Sequence, residues 1–498
     1  MPYGKIGAQV ERYICIHGHF YQPPRENPWL EAIEIQDSAY PYHDWNEKIC
    51  AECYAPNSAS RLLDGEARIM RIVSNYAKMS FNFGPTLLSW IEANAADVYS
   101  SLQEADRRSI EQRSGHGNAI AQAYNHIIMP LAASRDKRTQ IIWGIKDFEY
   151  RFKRYPEGMW LPETAVDLES LDILAELGIK FTILAPHQAL RVRRSDGEWE
   201  DVSGGRIDPA RAYICRLPSD REISIFFYDG QISRAVAFEE GLLNKGENFV
   251  ARLSTGFSNS REWPQILSIA SDGETYGHHH KFGDMALAFT LGRIEADGLG
   301  TLTNYGEYLE KFPPEYEVEI AENTSWSCAH GVERWKDNCG CNTVGNTGWN
   351  QEWRKPLRTS LDWLRDRLAP EYERMAKLYL KEPWLARDEY IGVILERSED
   401  KIEEFVNKHA IRDLSLDEKT LVLKLVEMQR HAMLMYTSCG WFFDELSGIE
   451  TVQIIQYAGR VIQLSEELFG GEIVRPFLDR LSRAKSNLVE YGDGGRIY

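Results

Sequence analysis

"RYICIH", residues 12–17, is a near-continuous apolar run that ends on a histidine. Strict alternation of apolar and polar residues would mark a strand with one wet face. A continuous run instead fits a strand covered on both faces, as in a parallel sheet. Six further runs of this kind follow before residue 300: "KMSFNF" (78–83), "NAIAQAY" (118–124), "EGMWLP" (157–162), "IKFTILA" (179–185), "ISIFFY" (223–228) and "QILSIAS" (265–271). Helical patterns lie between several of them. "ESLDILAELG" (169–178), for example, stops on Gly178, a residue suited to the left-handed turn that ends a helix. Repeated strand–helix units point to a parallel α/β barrel or an open sheet.

Beyond about residue 355 only helix patterns remain. Ser415 and Glu418 form a capping box ahead of a helix whose apolar stripe is Leu421, Leu425, Met428, Ala432 and Met435. The stretches 385–406, 449–468 and 471–490 also read as helical. The expected organisation is therefore a barrel over 1–300, an irregular Gly-, Asn- and Trp-rich segment over 301–354 that completes the cleft, and a helical bundle over 355–498. The bundle is expected either to wall the cleft or to mediate self-association as a homo-oligomer.

The 498-residue chain is long enough for two parts with sizeable cores, and its 43% hydrophobic and 27% charged residues are those of a globular protein. A net charge of -18 with no basic run argues against nucleic acid or an anionic membrane as partner, but is indifferent to a neutral substrate. No apolar run approaches the ~20 residues of a membrane helix. The first residues lack the pattern of a secretory signal, so a cytoplasmic location is expected. In that compartment most of the eight cysteines should be reduced. Cys50 and Cys53 form a CxxC, Cys339 and Cys341 a CxC, and Cys328 lies two residues before His330. These types offer zinc ligands, but neither cluster has the two-pair spacing of a zinc finger, which favours buried thiols that merely pack.

In a parallel barrel, chemistry gathers at the carboxyl ends of the strands. After the successive runs stand His17 and His19, Asn125 and His126, Glu163, His187, Asp229, and Asp272 with Glu274. Two chemistries fit such a set. His17-x-His19 with an acid would suit a metal, whereas Glu163 and Asp272, from different strands, would suit a carboxylate pair flanking a glycosidic bond. The 14 tryptophans mildly favour sugars, although core packing must account for most of them. Residue types alone leave both open.

The ordered motifs "IHGHFYQPPRENPW", "NFGPTLLSW", "YNHIIMPL", "GMWLPETAVD", "FTILAPHQ" and "SIASDGETYG" together resemble glycoside hydrolase family 57 over roughly residues 12–335. The C-terminal part resembles an extension carried by one branch of that family. The resemblance implies an α/β fold: an incomplete seven-stranded parallel β/α barrel followed by an all-α helical bundle. It implies a retaining enzyme that cleaves or transfers α-linked glucans (an α-amylase, a 4-α-glucanotransferase or a branching type), with an oligo- or polysaccharide substrate, no cofactor and no metal in the chemistry. Glu163 in "MWLPE" takes the place of the nucleophile and Asp272 that of the general acid/base. His17 and His19 match the sugar-binding histidines, and His126 matches the histidine of the second motif. The implied substrate-binding set is His17, His19, Gln22, Asn125, His126, Trp160, His187 and Glu274, with Trp326, His330 and Trp335 as an outer subsite.

The chain departs from the family pattern in three places. Phe20 and Tyr21 separate His19 from Gln22 and Pro23, Asn118 stands where the second motif has a glutamate, and 325–341 matches the fifth motif only loosely. Retention requires an ionised carboxylate under the anomeric carbon and a protonated one at the leaving oxygen. Glu163 and Glu274 should raise the pKa of Asp272, while a cationic histidine nearby would oppose that. Glu274 is expected to orient the site, and His278, His279 and His280 to form a polar loop or helix start. Two other readings stand beside this one: a metal-dependent carbohydrate hydrolase using His17 and His19, and a glycan-binding protein without turnover.

Overall fold

A computed structural model describes residues 10–343 and 345–498. Seven central strands are present: β1 (Arg12–Phe20), β2 (Ser80–Phe83), β3 (Ala121–Gln122), β4 (Met159–Trp160), β5 (Phe181–Leu184), β6 (Glu222–Phe227) and β7 (Gln265–Asp272). All seven fall within or extend the runs read from the sequence. β3 and β4 keep only two residues each, because the neighbouring segments meet through single bridges, Phe81 with Ala119 and Gly158 with Phe181. β7, β1 and β2 pair in parallel, as do β3 with β4 and β5 with β6. The result is a (β/α)7-like barrel wrapped by helices such as Ser134–Phe152 and Leu168–Glu176.

Among the described residues no ladder joins β6 to β7; a single backbone bond of 2.7 Å runs from Asp229 N to Ser268 O. The outer edge of β6 is already taken, antiparallel, by Ala212–Arg216. That strand pairs in turn with Tyr316–Ile320, and the latter with Ala189–Arg194. A strand edge can pair only once, so this antiparallel extension prevents closure. The sequence reading missed these strands. It also set the barrel's end too early: Thr301–Leu302 pairs with β1 and Tyr316–Ile320 joins the sheet, so the first part continues to about residue 320.

Side-chain alternation along the strands divides the apolar residues into two layers. Tyr13 and Cys15 of β1, Trp160, Ile183, Phe226, Ile266 and Ala270 fill a small interior cluster with Tyr305 and Tyr308. Ile14, Ile16 and Phe20 face outward into a larger core that runs unbroken into the helical region. His17 and His19 continue the inward-facing series of β1 one and two steps above Cys15, and Asp272 continues that of β7 one step above Ala270.

The C-terminal part is helical, with Arg354–Ala376, Leu416–Leu434 and Ile449–Phe469 as its longest elements. The Ser415–Glu418 capping box forms as read. The stretch 385–406 breaks into Pro383–Glu389, Ile391–Leu395 and Glu399–His409, the last restarted by the Ser398 cap. Only Val474–Leu481 is helical within 471–490, since Gly470 and Gly471 adopt positive φ and end the preceding helix. Buried Arg387 binds Asp136 at 2.7 Å and Thr139 at 2.6 Å, tying the bundle to the barrel. No helix among the described residues is long and apolar enough to cross a membrane.

Candidate active site

Register assembles the site. On β1, His19 lies opposite Asp272 of β7 on one side and Asn82 of β2 on the other, and Gln122 of β3 lies opposite Trp160 of β4. Five polar or aromatic side chains therefore reach one level at the carboxyl end of the barrel.

The floor is a buried hydrogen-bonded chain. His17 Nδ1 lies 2.9 Å from Ser80 Oγ and its Nε2 3.0 Å from Asn82 Oδ1. Asn82 Nδ2 donates to Gln122 Oε1 at 2.8 Å and lies 2.9 Å from His19 Nδ1. His19 Nε2 meets His126 Nε2 at 3.1 Å, and His126 Nδ1 lies 2.6 Å from Ser438 Oγ of the helical part. His17 and His19 both stack on Trp160 with centroids 5.0 Å apart. Burial lowers the pKa of His17 and of His19 to about 3, and drives that of His126 far down as well. All three are neutral near pH 7, so none opposes protonation of a neighbouring acid. Both ring nitrogens of His17 and of His19 are engaged by side chains of this floor.

Glu163 sits on the turn Pro162–Thr164 that follows β4, with φ 58°. A left-handed backbone at a non-glycine residue costs on the order of 1 kcal/mol and must be held by its surroundings. Here Trp326 N donates to Glu163 O at 2.9 Å, while Gln188 Nε2 donates to Thr164 O at 2.9 Å. The carboxylate accepts from Trp326 Nε1 at 2.9 Å and Ser327 Oγ at 2.5 Å, both on Oε2. Burial raises the pKa of Glu163, and these two donors and the charge of Arg334 oppose the rise.

Asp272 keeps an open path to solvent on the cleft wall, although protein crowds it on its other sides. That crowding, and then the charge of Glu163, push its pKa up to about 7. Tyr228 also senses Asp272, and its ring packs edge-on against Trp326 at 6.3 Å. Glu163, Trp326, Tyr228 and Asp272 are thus neighbours at the carboxyl end of the barrel. Glu274 turns away beneath them: its Oε1 accepts from Tyr21 N at 3.0 Å and from Tyr54 OH at 2.6 Å. Burial first, with Asp272 adding, raises its pKa to about 8.

The raised pKa of Glu274 gives a stability prediction. The folded state holds this proton up to about pH 8, while the unfolded chain loses it near 4.5, so Glu274 lowers stability progressively across that window as pH rises. Glu274→Gln keeps an acceptor for Tyr21 and Tyr54 and removes the proton. The Tm of the variant should exceed the parent's by a margin that grows from pH 4.5 to about 8 and then levels. Parallel melting curves with no such divergence would contradict it.

Other expected contacts lie elsewhere. Asn125 is turned back, its Oδ1 taken by Gln140 Nε2 at 2.7 Å. Gln22 accepts from Arg25 at 2.9 Å, and exposed His187 lies 2.9 Å from Ser325 O. Trp335 is fully buried in the larger core, so it has no face to offer a sugar and leaves the outer subsite. His330 faces away into a cluster with Cys328, Cys339 and Cys341, whereas Cys50 and Cys53 pack under the site, Cys53 Sγ 3.4 Å from Gly273 O. Asn118 bonds Tyr76 O and Asn304 low on the strand; Gln122 is the residue of that run that joins the floor. His278 pairs with Glu52 and His280 with Ala237 O, away from the acids. Asp229 caps the helix Gly230–Phe238.

The sequence reading did not single out Asn82, Gln122, Ser327, Tyr228 or Ser438. Asn82 and Gln122 share the inward register of their strands, which alternation alone could have revealed. No local signal points to Ser438, which meets His126 across 312 positions. Ser438 N also donates to His126 O at 3.0 Å, so the helical part packs directly against the floor.

Comparison with known proteins agrees with this architecture. Residues 14–321 match the model of "Glycosyl hydrolase family 57", and residues 349–498 match "Domain of unknown function (DUF3536)". A 4-alpha-glucanotransferase of Thermococcus litoralis is 23% identical over 269 residues, 52% of this chain and 37% of that protein. An alpha-amylase of Pyrococcus abyssi is 20% identical over 50% of this chain and 36% of its own. The chain thus spans just over a third of the length of these relatives. Among solved structures, an exo-type maltose-forming amylase from Pyrococcus sp. ST04 superposes with a TM-score of 0.69 at 15% identity, covering 95% of this chain and 83% of that one. A branching enzyme from Pyrococcus horikoshii gives 0.55 at 13% identity, covering 97% and 93%. With the family model spanning more than half its length, the chain belongs to glycosyl hydrolase family 57.

Proposed function

We propose that this protein is a retaining enzyme acting on α-linked glucans, with Glu163 as nucleophile and Asp272 as general acid/base. One observation carries the reading: two carboxylates from different strand ends lie close enough for the charge of Glu163 to raise the pKa of Asp272, and only Glu163 is held by two hydrogen-bond donors. Glu163 accepts two hydrogen bonds that favour its anion, while Asp272 has a pKa of about 7 through crowding and the charge of Glu163. In this reading the barrel is incomplete, open between β6 and β7, and Asp272 at the end of β7 lies beside that opening.

In the first step Glu163 attacks the anomeric carbon, and the bond to the leaving oxygen breaks as Asp272 gives that oxygen its proton. Asp272, now a base, then takes a proton from water or a sugar hydroxyl that displaces Glu163. The neutral histidines beneath the site add no charge that would lower the pKa of Asp272.

The test is incubation of the full chain with maltooligosaccharides and amylose, with product lengths, new branch points and the first-formed anomer followed by chromatography and NMR. Retained α-configuration is expected, with new reducing ends for hydrolysis or redistributed lengths for transfer. A β-anomer formed first, or sugar binding without any turnover, would reject the assignment.

A further inference from the structure

We infer that Cys328, His330, Cys339 and Cys341 bind one zinc ion in a closed structural site beside the active centre. The ligand atoms of the four residues lie within 4.8 Å of one another. Cys328 Sγ is 4.0 Å from Cys339 Sγ and 3.9 Å from Cys341 Sγ, and Cys341 Sγ is 3.6 Å from His330 Nδ1. A tetrahedral ion with Zn–S ≈ 2.3 Å and Zn–N ≈ 2.0–2.1 Å has S···S edges of about 3.8 Å and S···N edges of about 3.5 Å. The three edges given above lie within about 0.2 Å of those figures. They are far longer than the ~2.05 Å of a disulfide, so no sulfur–sulfur bond occupies the centre and an ion can sit there.

The sequence supports the cage in two pairs, C-A-H and C-G-C, each with its ligands one residue apart. Gly340 has φ +77°, a left-handed turn that lets both flanking thiols face the same point. Three thiolates and a neutral imidazole around a divalent ion leave one negative charge in excess. Buried Arg354 supplies the counter-charge, its Nη1 3.8 Å from Cys339 Sγ and 3.3 Å from Cys341 O. Three soft ligands and one nitrogen in a closed tetrahedron select zinc over magnesium, calcium or manganese. His330 is exposed and Cys339 and Cys341 are half-buried, which gives the ion an entry path.

The site braces the cleft. Trp326 and Ser327, which donate to Glu163, immediately precede Cys328. Arg354, at the start of the helical part, also donates to Phe442 O and Phe443 O. An ion here would pin the donor loop to the helical wall. This role rests on the proposed function, whereas the presence of the ion does not.

The full chain, produced with zinc present and desalted, should carry about one zinc per chain by elemental analysis. Exchange for Co(II) should give the intense visible bands of a tetrahedral site and a thiolate charge-transfer band. Cys339→Ser with Cys341→Ser should lose both signals, and Cys50→Ala should keep them. Because the double variant could fail to fold, the native chain decides. Failure to take up zinc or cobalt, iron in its place, or a Cys339–Cys341 disulfide by mass spectrometry overturns the site. Stripping the zinc should also move the acid limb of the pH–rate profile upward, as Glu163 loses its two donors. Bound zinc with an unmoved acid limb overturns the brace.

Discussion

Glu163→Ala should lower kcat/KM on maltooligosaccharides by about 10⁴- to 10⁶-fold, the loss seen when a nucleophile is removed from a covalent mechanism. That is a barrier increase of about 5.5–8 kcal/mol. The effect should lie in kcat, because the bond from Glu163 to the anomeric carbon begins to form only on the way to the transition state. With an activated glycosyl donor, added azide should occupy the space vacated by the carboxylate and restore turnover. The product would then be the glycosyl azide of inverted configuration. Glu163→Gln serves as the structural control, since its amide oxygen still accepts from Trp326 Nε1 and Ser327 Oγ. Activity within tenfold of the parent in either variant would remove Glu163 from the chemistry.

The second large effect belongs to Asp272. Asp272→Asn removes the proton donor and should cost about 10²- to 10⁴-fold on natural glucans. On a glycosyl fluoride, whose leaving group needs no proton, the first step should be nearly unaffected. The parent's kcat/KM should be bell-shaped. On the basic side it falls as pH rises through about 7, where Asp272 loses the proton it must donate. On the acid side it falls as Glu163 is protonated, at a pH above its ordinary 4.5, since burial raises that pKa too. The two acids interact, so the limbs belong to the pair. In Asp272→Asn the basic limb should vanish while the acid limb remains. A basic limb that survives the substitution would assign the proton to another group, Glu274 being the nearest alternative.

What could be read along the chain was local. Seven apolar runs became seven strands because continuous burial leaves a mark on consecutive residues. Gly178 and the Ser415–Glu418 box ended and began helices because caps act within one turn. Glu163 and Asp272 stood out because each lies just past a strand end, where a parallel barrel exposes side chains.

Other properties needed three dimensions. Whether the barrel closes was decided by an edge competition, in which Ala212–Arg216 takes the side of β6 that β7 would need. Trp335 and Trp326 lie in the same loop, yet only packing makes one core and leaves the other at Glu163. The histidines read as sugar contacts are also links in a neutral chain running from Ser80 to Ser438, and that neutrality follows from burial. The cysteine spacing suggested mere packing because zinc-finger spacing describes one way of delivering four ligands. Here the turns at Gly331 and Gly340 bring C-A-H and C-G-C together by another. Periodicity and caps are short-range consequences of backbone geometry, so they survive in one dimension. Edge pairing, ligand convergence and desolvation depend on which distant residues arrive at the same place, and only the folded chain supplies that.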